Sequence, residues 1–286
     1  MTGNTQTAAP GVRALGDGFA AEIAGLDLAG PLDEGDIDWI ADRLDDYAVL
    51  VFRGQHLDAA ALDKFSRRFG TPQRHVLERY RHRDIPEISY VTNVAADGSV
   101  DKFGVRRATI WHSDATYEAR LPRLAILHAL EVPREGGGTL FADLRAAWDA
   151  LPPETKAQLQ PLTGLHRFNR GPANSAGIYD GQAGVQEAVA ELQRHPAMAI
   201  HPRSGRRILF VNPAHSVGFD GMEEDAGRQL VRDLWDHAVQ DRFVYRHDWR
   251  PGNLVIWDER ATMHRGAGDS EPEERRVLLR AIVYGD

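Results

Sequence analysis

Residues 243–257 read Phe243-Val244-Tyr245-Arg246-His247-Asp248-Trp249-Arg250-Pro251-Gly252-Asn253-Leu254-Val255-Ile256-Trp257. Two short runs rich in aromatic and β-branched residues flank Pro-Gly-Asn, a sequence that favours a turn, so residues 243–247 and 254–257 are expected to be strands. Val277–Tyr284 has the same character, which makes the C-terminal part of the chain strand-rich. Working back toward the N-terminus, residues 48–52, 85–94, 125–130 and 139–142 are further strand candidates.

Helices are fewer. Asp33 can cap a helix ending near Tyr47, with Ile37, Ile40, Ala41 and Leu44 at helical spacing. Asp58 can cap a second, ended by Gly70. Residues 144–165 read as two short helices broken at Pro152-Pro153. Residues 223–239 form the clearest amphipathic pattern, with Leu230, Val231, Leu234, Trp235 and Ala238 on one face. Residues 78–84 read as a charged, solvated loop. Residues 1–12 read as a flexible tail and residues 13–286 as a single domain, with a Gly-, Asn- and Pro-rich stretch near 167–185 expected to be a mobile loop. The expected class is mainly β with flanking helices, a sandwich or jelly roll.

Composition narrows the chemistry. The 286 residues include no cysteine, which excludes thiol catalysis, disulfides and Cys-ligated metals. Any metal must therefore sit on histidine and carboxylate. A formal net charge of −8 argues against general nucleic-acid binding. No signal peptide or membrane-spanning run is visible, so the expected location is the cytoplasm, with no membrane partner. Lysine is confined to Lys64, Lys102 and Lys156, and the remaining basic residues are arginines, which suit two-point contacts with carboxylates.

His-x-Asp is the smallest part of a facial metal triad, since residues i and i+2 of a strand share a face. About two chance occurrences are expected in a chain with this many histidines and acids, and there are three: His56/Asp58, His82/Asp84 and His112/Asp114. Asp58 stands where a helix cap belongs, and His82 and Asp84 lie in a run of charges. His112 follows Thr109-Ile110-Trp111, an apolar, strand-like entry, which makes it the strongest of the three.

The ordered set Trp111-His112-Ser113-Asp114-Ala115-Thr116-Tyr117, Gly136-Gly137-Gly138-Thr139-Leu140-Phe141, Trp257-Asp258-Glu259-Arg260-Ala261-Thr262-Met263-His264-Arg265-Gly266 and Arg275-Arg276-Val277-Leu278-Leu279-Arg280 resembles the taurine dioxygenase / 2,4-dichlorophenoxyacetate dioxygenase family of Fe(II)/2-oxoglutarate oxygenases. The resemblance covers nearly the whole chain. It implies a double-stranded β-helix, a distorted jelly roll, with Fe(II), 2-oxoglutarate and O2 as cofactor and cosubstrates. Carried over motif by motif, it makes His112, Asp114 and His264 the iron ligands and catalytic centre. Arg276 and Thr139 then hold the far carboxylate of 2-oxoglutarate, and Arg280, helped by His75, holds the acid group of the substrate. Beside the pocket so implied, the mobile stretch near 167–185 is expected to be a lid in which Phe168 and Tyr179 face substrate. The implied reaction decarboxylates 2-oxoglutarate to succinate and CO2 and hydroxylates a substrate C–H, with cleavage where the carbon bears oxygen, sulfur or nitrogen.

Some positions depart from the family pattern. Gly138 replaces an acidic residue, and Glu259 stands where asparagine commonly follows Trp-Asp. Ala108 and Glu78 replace substrate contacts of taurine-type members. Residues 144–152 and 243–247 look closer to the aryloxyacetate-cleaving branch, so a small organic acid, a carboxylate, is the expected substrate, with a taurine-type sulfonate as the alternative. Further copies of the chain are the expected macromolecular partners. Two rivals come from other classes: a zinc hydrolase on the same three ligands, and a non-catalytic jelly-roll binding protein, which loss of a ligand would mark. No serine-hydrolase, P-loop or dinucleotide fingerprint is present.

Overall fold

The computed structural model describes residues 10–16, 18–107, 109–174 and 191–285. In its first part the strands are β1 (Gly11–Leu15), β2 (Ala20–Ala24), β3 (Val49–Phe52), β4 (Thr71–Pro72), β5 (Ser89–Thr92) and β6 (Leu124–Glu131). Then follow β7 (Thr139–Asp143), β8 (Thr163–His166), β9 (Gln193–Pro196), β10 (Met198–Ile200), β11 (Arg207–Leu209) and β12 (Ser216–Phe219). The last are β13 (Val244–His247), β14 (Leu254–Asp258), β15 (Thr262–Gly266) and β16 (Val277–Tyr284). The described helices are α1 (Glu34–Tyr47), α2 (Ala59–Ser66), α3 (Lys102–Arg107), α4 (Leu144–Asp149), α5 (Pro153–Leu159) and α6 (Glu224–Ala238).

Strands distant in sequence build the main sheet, in the order β1-β2-β3-β14-β6-β16-β4, with β5 also pairing β16. A smaller antiparallel sheet, β13-β7-β15, faces it. All four residues of β3 and all five of β14 are buried, because both faces of the main sheet are covered. On one face α1 and α2 bring Ile40, Leu44, Leu62 and Phe65 against Leu50, Phe52, Ile126 and Ile256. On the other, Val49, Val51, Val255 and Trp257 pack toward Phe141 of the small sheet. A third cluster joins α4 and α6 to β11 and β15 through Trp148, Val231, Leu234, Ile208 and Met263. The strands β12-β8-β9 and the pair β10-β11 complete the β structure described. Among the described residues no helix is long and apolar enough to cross a membrane.

The local helix signals hold. Asp33 and Asp36 form a reciprocal capping box at α1, and Asp58 accepts the Ala61 amide at 2.8 Å at the start of α2. Gly70 ends that segment at φ 145, where a Cβ would lie 2.0 Å from the Tyr284 carbonyl oxygen.

Other expectations are corrected. Gly11 and Val12 are not tail: they pair with Ala24 and Ile23 of β2. The second of the helices expected within 144–165 stops at Leu159, and Thr163–His166 becomes a strand because β12 and β9 pair with it. Of residues 85–94 only Ser89–Thr92 is a strand, the length that β16 can pair. Residues 78–84 are not uniformly solvated, since Tyr80 is buried against Leu77 and Phe168. Thr262–Gly266, too polar to be read as a strand, is one because β7 supplies its register. Within the stretch expected to form a lid, Arg167 and Gly171 donate backbone hydrogen bonds to His215 and Ala214. Residues 175–185, Tyr179 included, lie outside the described residues.

Ile256 is fully buried at the centre of the main sheet, between β3 and β6. Replacing it by alanine is expected to cost about 2–5 kcal/mol, measurable by urea unfolding as a lower midpoint at unchanged slope.

Candidate metal and cosubstrate site

β15 carries His264 in register with Phe141 of β7. His264 also exchanges two backbone hydrogen bonds with His112: the His112 amide donates to the His264 carbonyl at 3.0 Å, and the reverse bond is 2.7 Å. The bridge sets the two imidazoles side by side, ring centroids 4.2 Å apart. Past His112 the chain does not continue as a strand, so the same-face argument for His-x-Asp does not apply. Instead Asp114 sits in a turn, Ala115 takes φ 56, and the carboxylate comes within 3.7 Å of His112 Nε2. The ligating atoms of His112, Asp114 and His264 lie within 4.8 Å of one another.

Their chemistry fits a divalent metal. His112 Nδ1 donates to the Ile110 carbonyl at 2.7 Å, which leaves the lone pair on Nε2. His264 Nδ1 is buried without a hydrogen-bond partner. Burial, reinforced by His112 and opposed by Asp114, holds His264 well below the usual histidine range, in the neutral form that ligation needs. Burial disfavours a charge on Asp114, but the Arg280 guanidinium beside it, the largest of the opposing charges, holds its carboxyl well below the usual range.

The other His-x-Asp pairs lie apart. Asp58 caps α2, and His82 stacks on Tyr90 at 5.9 Å. A second His/acid group, Asp45, His201 and Asp258, is occupied internally: His201 Nε2 donates to Asp258 at 2.8 Å, and its Nδ1 accepts the Ser204 amide at 3.1 Å.

His75, His112, Asp114, Thr139, His264, Arg276 and Arg280 all line one cavity. At one side of it Arg276 Nε donates to the Gly137 carbonyl at 3.0 Å, and Nη2 reaches Thr139 Oγ1 at 3.4 Å. Trp249 Nε1 donates to the same hydroxyl at 2.9 Å, leaving its proton free to be donated onward. The acids next to Arg276 in sequence do not pair with it: Glu274 pairs with Arg134, and Glu273 is exposed. Among the described residues no carboxylate pairs with Arg276, and burial pushes its guanidinium down to about 10. A buried cation without a counterion is costly unless an anion joins it.

Arg280, on β16, donates from Nη1 to Asp114 Oδ2 at 3.3 Å and from Nε to Ser89 Oγ at 3.3 Å. His75 is held by its own loop, its Nδ1 accepting the Leu77 amide at 3.0 Å. The cavity also holds groups that sequence reasoning did not single out. His215 stacks on Phe168 at 5.7 Å and meets the Tyr117 ring edge-on at 5.0 Å. Burial, with His112 adding, pushes His215 down to about 3. Nothing in Ala214-His215-Ser216 distinguishes it from a surface histidine, so no sequence signal was available.

Two of the departures have a structural account. A Cβ at Gly138 would lie 3.0 Å from Arg246 Nη2. Arg246 pairs with Asp269 at 2.8 Å, and Asp269 accepts the Gly137 amide at 2.9 Å, so an acid from the C-terminal loop stands near the place of the missing one. Glu259 is buried, and its Oε2 accepts the Asp114 amide at 2.9 Å. Burial, then the charge of Asp114, pushes its carboxyl well above the usual range. Glu78 is exposed beside Arg81 and does not line the cavity. Ala108 lies outside the described residues.

Comparison with known proteins gives concordant matches. The model of the Taurine catabolism dioxygenase TauD, TfdA family matches residues 11–282. The alpha-ketoglutarate-dependent 2,4-dichlorophenoxyacetate dioxygenase of Burkholderia sp. (strain RASC) is 34% identical over 284 residues, covering 93% of this chain and 92% of that protein. Pentalenolactone F synthase of Streptomyces arenae is 30% identical over 278 residues, covering 94% and 93%. Among solved structures, AAD-2 in complex with Mn(II) and N-oxalylglycine superposes with a TM-score of 0.85 at 31% identity, covering 97% of this chain and 98% of that one.

Burial and, secondarily, Arg53 push His247 down to about 3 as well. Both His215 and His247 are therefore neutral in the fold but take up protons near 6.5 when unfolded. The unfolded state binds more protons below 6.5, so their contribution to stability is complete above that pH and is lost as pH falls toward 3. Urea titrations of the metal-free protein between pH 7 and pH 5 are expected to show falling stability, with a shallower fall in His247→Gln.

Proposed function

The chain belongs to the TauD, TfdA dioxygenase family, and on that premise we propose that it is an Fe(II)- and 2-oxoglutarate-dependent dioxygenase that hydroxylates a small organic carboxylate, releasing succinate and CO2. The observation that carries the reading is the sharing of one cavity by a His/Asp/His set and a half-buried guanidinium with no carboxylate partner among the described residues. A zinc hydrolase on the same ligands would have no use for that second feature. We also read the two facing sheets as the double-stranded β-helix of the family.

Bound iron would supply the oxygen activation that couples decarboxylation of 2-oxoglutarate to attack on a substrate C–H. His112, Asp114 and His264 would hold it from one side, leaving the opposite positions to cosubstrate and oxygen. Arg276 and the Thr139 hydroxyl would grip the far carboxylate of 2-oxoglutarate, a charge-assisted pair with a further hydrogen bond. Arg280, with His75 on the same wall, would hold the acid of the substrate and so fix which C–H faces the metal. Tyr117 and Phe168, whose rings meet edge to face at 4.6 Å, would cover an apolar body and keep water out. The 34% identity to a dioxygenase of 2,4-dichlorophenoxyacetate supports a carboxylate. Hydroxylation beside oxygen, sulfur or nitrogen would then end in bond cleavage.

Anaerobic addition of Fe(II) and 2-oxoglutarate is expected to produce a visible charge-transfer band. The band should vanish in His112→Ala, Asp114→Ala and His264→Ala and persist in His56→Ala and His82→Ala. Zinc-supported hydrolysis without a band would refute the reading.

The two arginines are expected to separate. Arg276→Ala should weaken 2-oxoglutarate binding by about 2–5 kcal/mol whatever the substrate. Arg280→Ala should leave the band largely intact while raising the substrate KM and uncoupling O2 consumption from product. Loss of the cosubstrate in Arg280→Ala but not in Arg276→Ala would show the roles to be exchanged.

A further inference from the structure

Glu259 takes no part in the chemistry proposed above, yet it is 2% exposed and reaches the metal set. It sits in the turn between β14 and β15, and that turn is tightly held. Asp258 Oδ1 accepts the Arg260 and Ala261 amides at 2.8 and 2.9 Å, its Oδ2 accepts from His201, and its carbonyl accepts the Thr262 hydroxyl at 2.7 Å. The Glu259 amide itself donates to the Arg123 carbonyl at 3.1 Å. From this anchored turn the side chain crosses to the Asp114 segment, 145 residues away in sequence, and accepts the Asp114 amide through Oε2 at 2.9 Å. Next to it Ser113 Oγ donates to the Thr262 carbonyl at 2.7 Å.

We infer that Glu259 is a positioning residue for the metal: through the Asp114 amide it ties the turn bearing the carboxylate ligand to the β14–β15 hairpin bearing His264. The backbone bridge between His112 and His264 registers the two imidazoles but says nothing about Asp114, which lies beyond the bridge and past the last strand-like residue. The Asp114 side chain is held from the other side by Arg280, a contact a flexible arginine can release. The bond from Glu259 is to backbone, so it fixes where the Asp114 Cα sits whatever the side chain is doing. A side chain of this length is needed to span from the turn to that amide.

The inference rests on the reading of His112, Asp114 and His264 as metal ligands, and its test separates the two. Mn(II) is titrated into the metal-free full chain, with free Mn(II) read by electron paramagnetic resonance. Wild type is expected to bind and His264→Ala to fail. Glu259→Gln, which keeps an acceptor oxygen at the same reach, should bind as wild type does. Glu259→Met, similar in size but without an acceptor, should bind about 10–100-fold more weakly, the loss typical when a group supporting a ligand is removed, with circular dichroism unchanged. Equal binding by wild type and Glu259→Met overturns the inference, as does a Gln variant as weak as the Met variant. Should the Met variant not fold, amide exchange decides: the Asp114 amide is expected to be protected in metal-free wild type and in Glu259→Gln, and a freely exchanging amide in folded wild type overturns it. Absence of Mn(II) binding by wild type would instead count against the ligand set itself, and the exchange experiment would still judge Glu259.

Discussion

Two backbone hydrogen bonds between His112 and His264 are the constraint on which the site depends. One residue belongs to a loop in the first half of the chain, the other to a strand near its end. The bridge forms only if β15 is in register with β7, and that register is supported by Met263 packing into the cluster beneath α4 and α6. The alignment of imidazoles is thus a consequence of sheet register, and a slip of one residue would turn His264 to the opposite face. Rigid strands suit a centre whose ligands must hold their geometry, because a ligand on a strand inherits the precision of the ladder.

Around this bridge the charges are arranged unequally. Asp114 is the only carboxylate of the ligand set, and it is shared with Arg280. Arg276, in the same cavity, has a carbonyl and a hydroxyl for company. Glu259, the second acid touching the set, has its carboxyl pushed well above the usual range by burial and by the charge of Asp114. Arg276 and Arg280 against Asp114 give the cavity lining more fixed positive than negative charge, although the chain as a whole has a formal net charge of −8. A local excess of this kind selects small anions while the overall charge discourages polyanions. Two guanidiniums at different places in one cavity match two acids, a cosubstrate and a substrate, better than one.

Two of the departures from the family pattern, Gly138 and Glu259, are answered by their neighbours in space. Asp269 reaches the Gly137 amide near the position where an acid before Thr139 is missing, and Arg246 fills the room that Gly138 leaves. Glu259 makes a contact to the Asp114 backbone. Read alone, each of these two substitutions looks like a loss; in the fold each position lies in a network of hydrogen bonds.

What the amino-acid sequence determined by itself was local or compositional. The caps of α1 and α2 and the amphipathic face of α6 were legible because helical hydrogen bonds and caps close within four residues. The types and order of seven of the residues that line the cavity were also legible, through motifs that survive without knowledge of the fold. The tertiary structure alone decided the strands β8 and β15, whose residues carry no strong pattern and are held by partners distant in the chain. It alone turned Asp114 out of a strand, paired it with Arg280, seated His215 against Phe168 and brought Glu259 to the Asp114 amide. Those contacts join residues some 50 to 170 positions apart, and no spacing rule within a segment reports which distant backbone a side chain will meet once the sheets have closed.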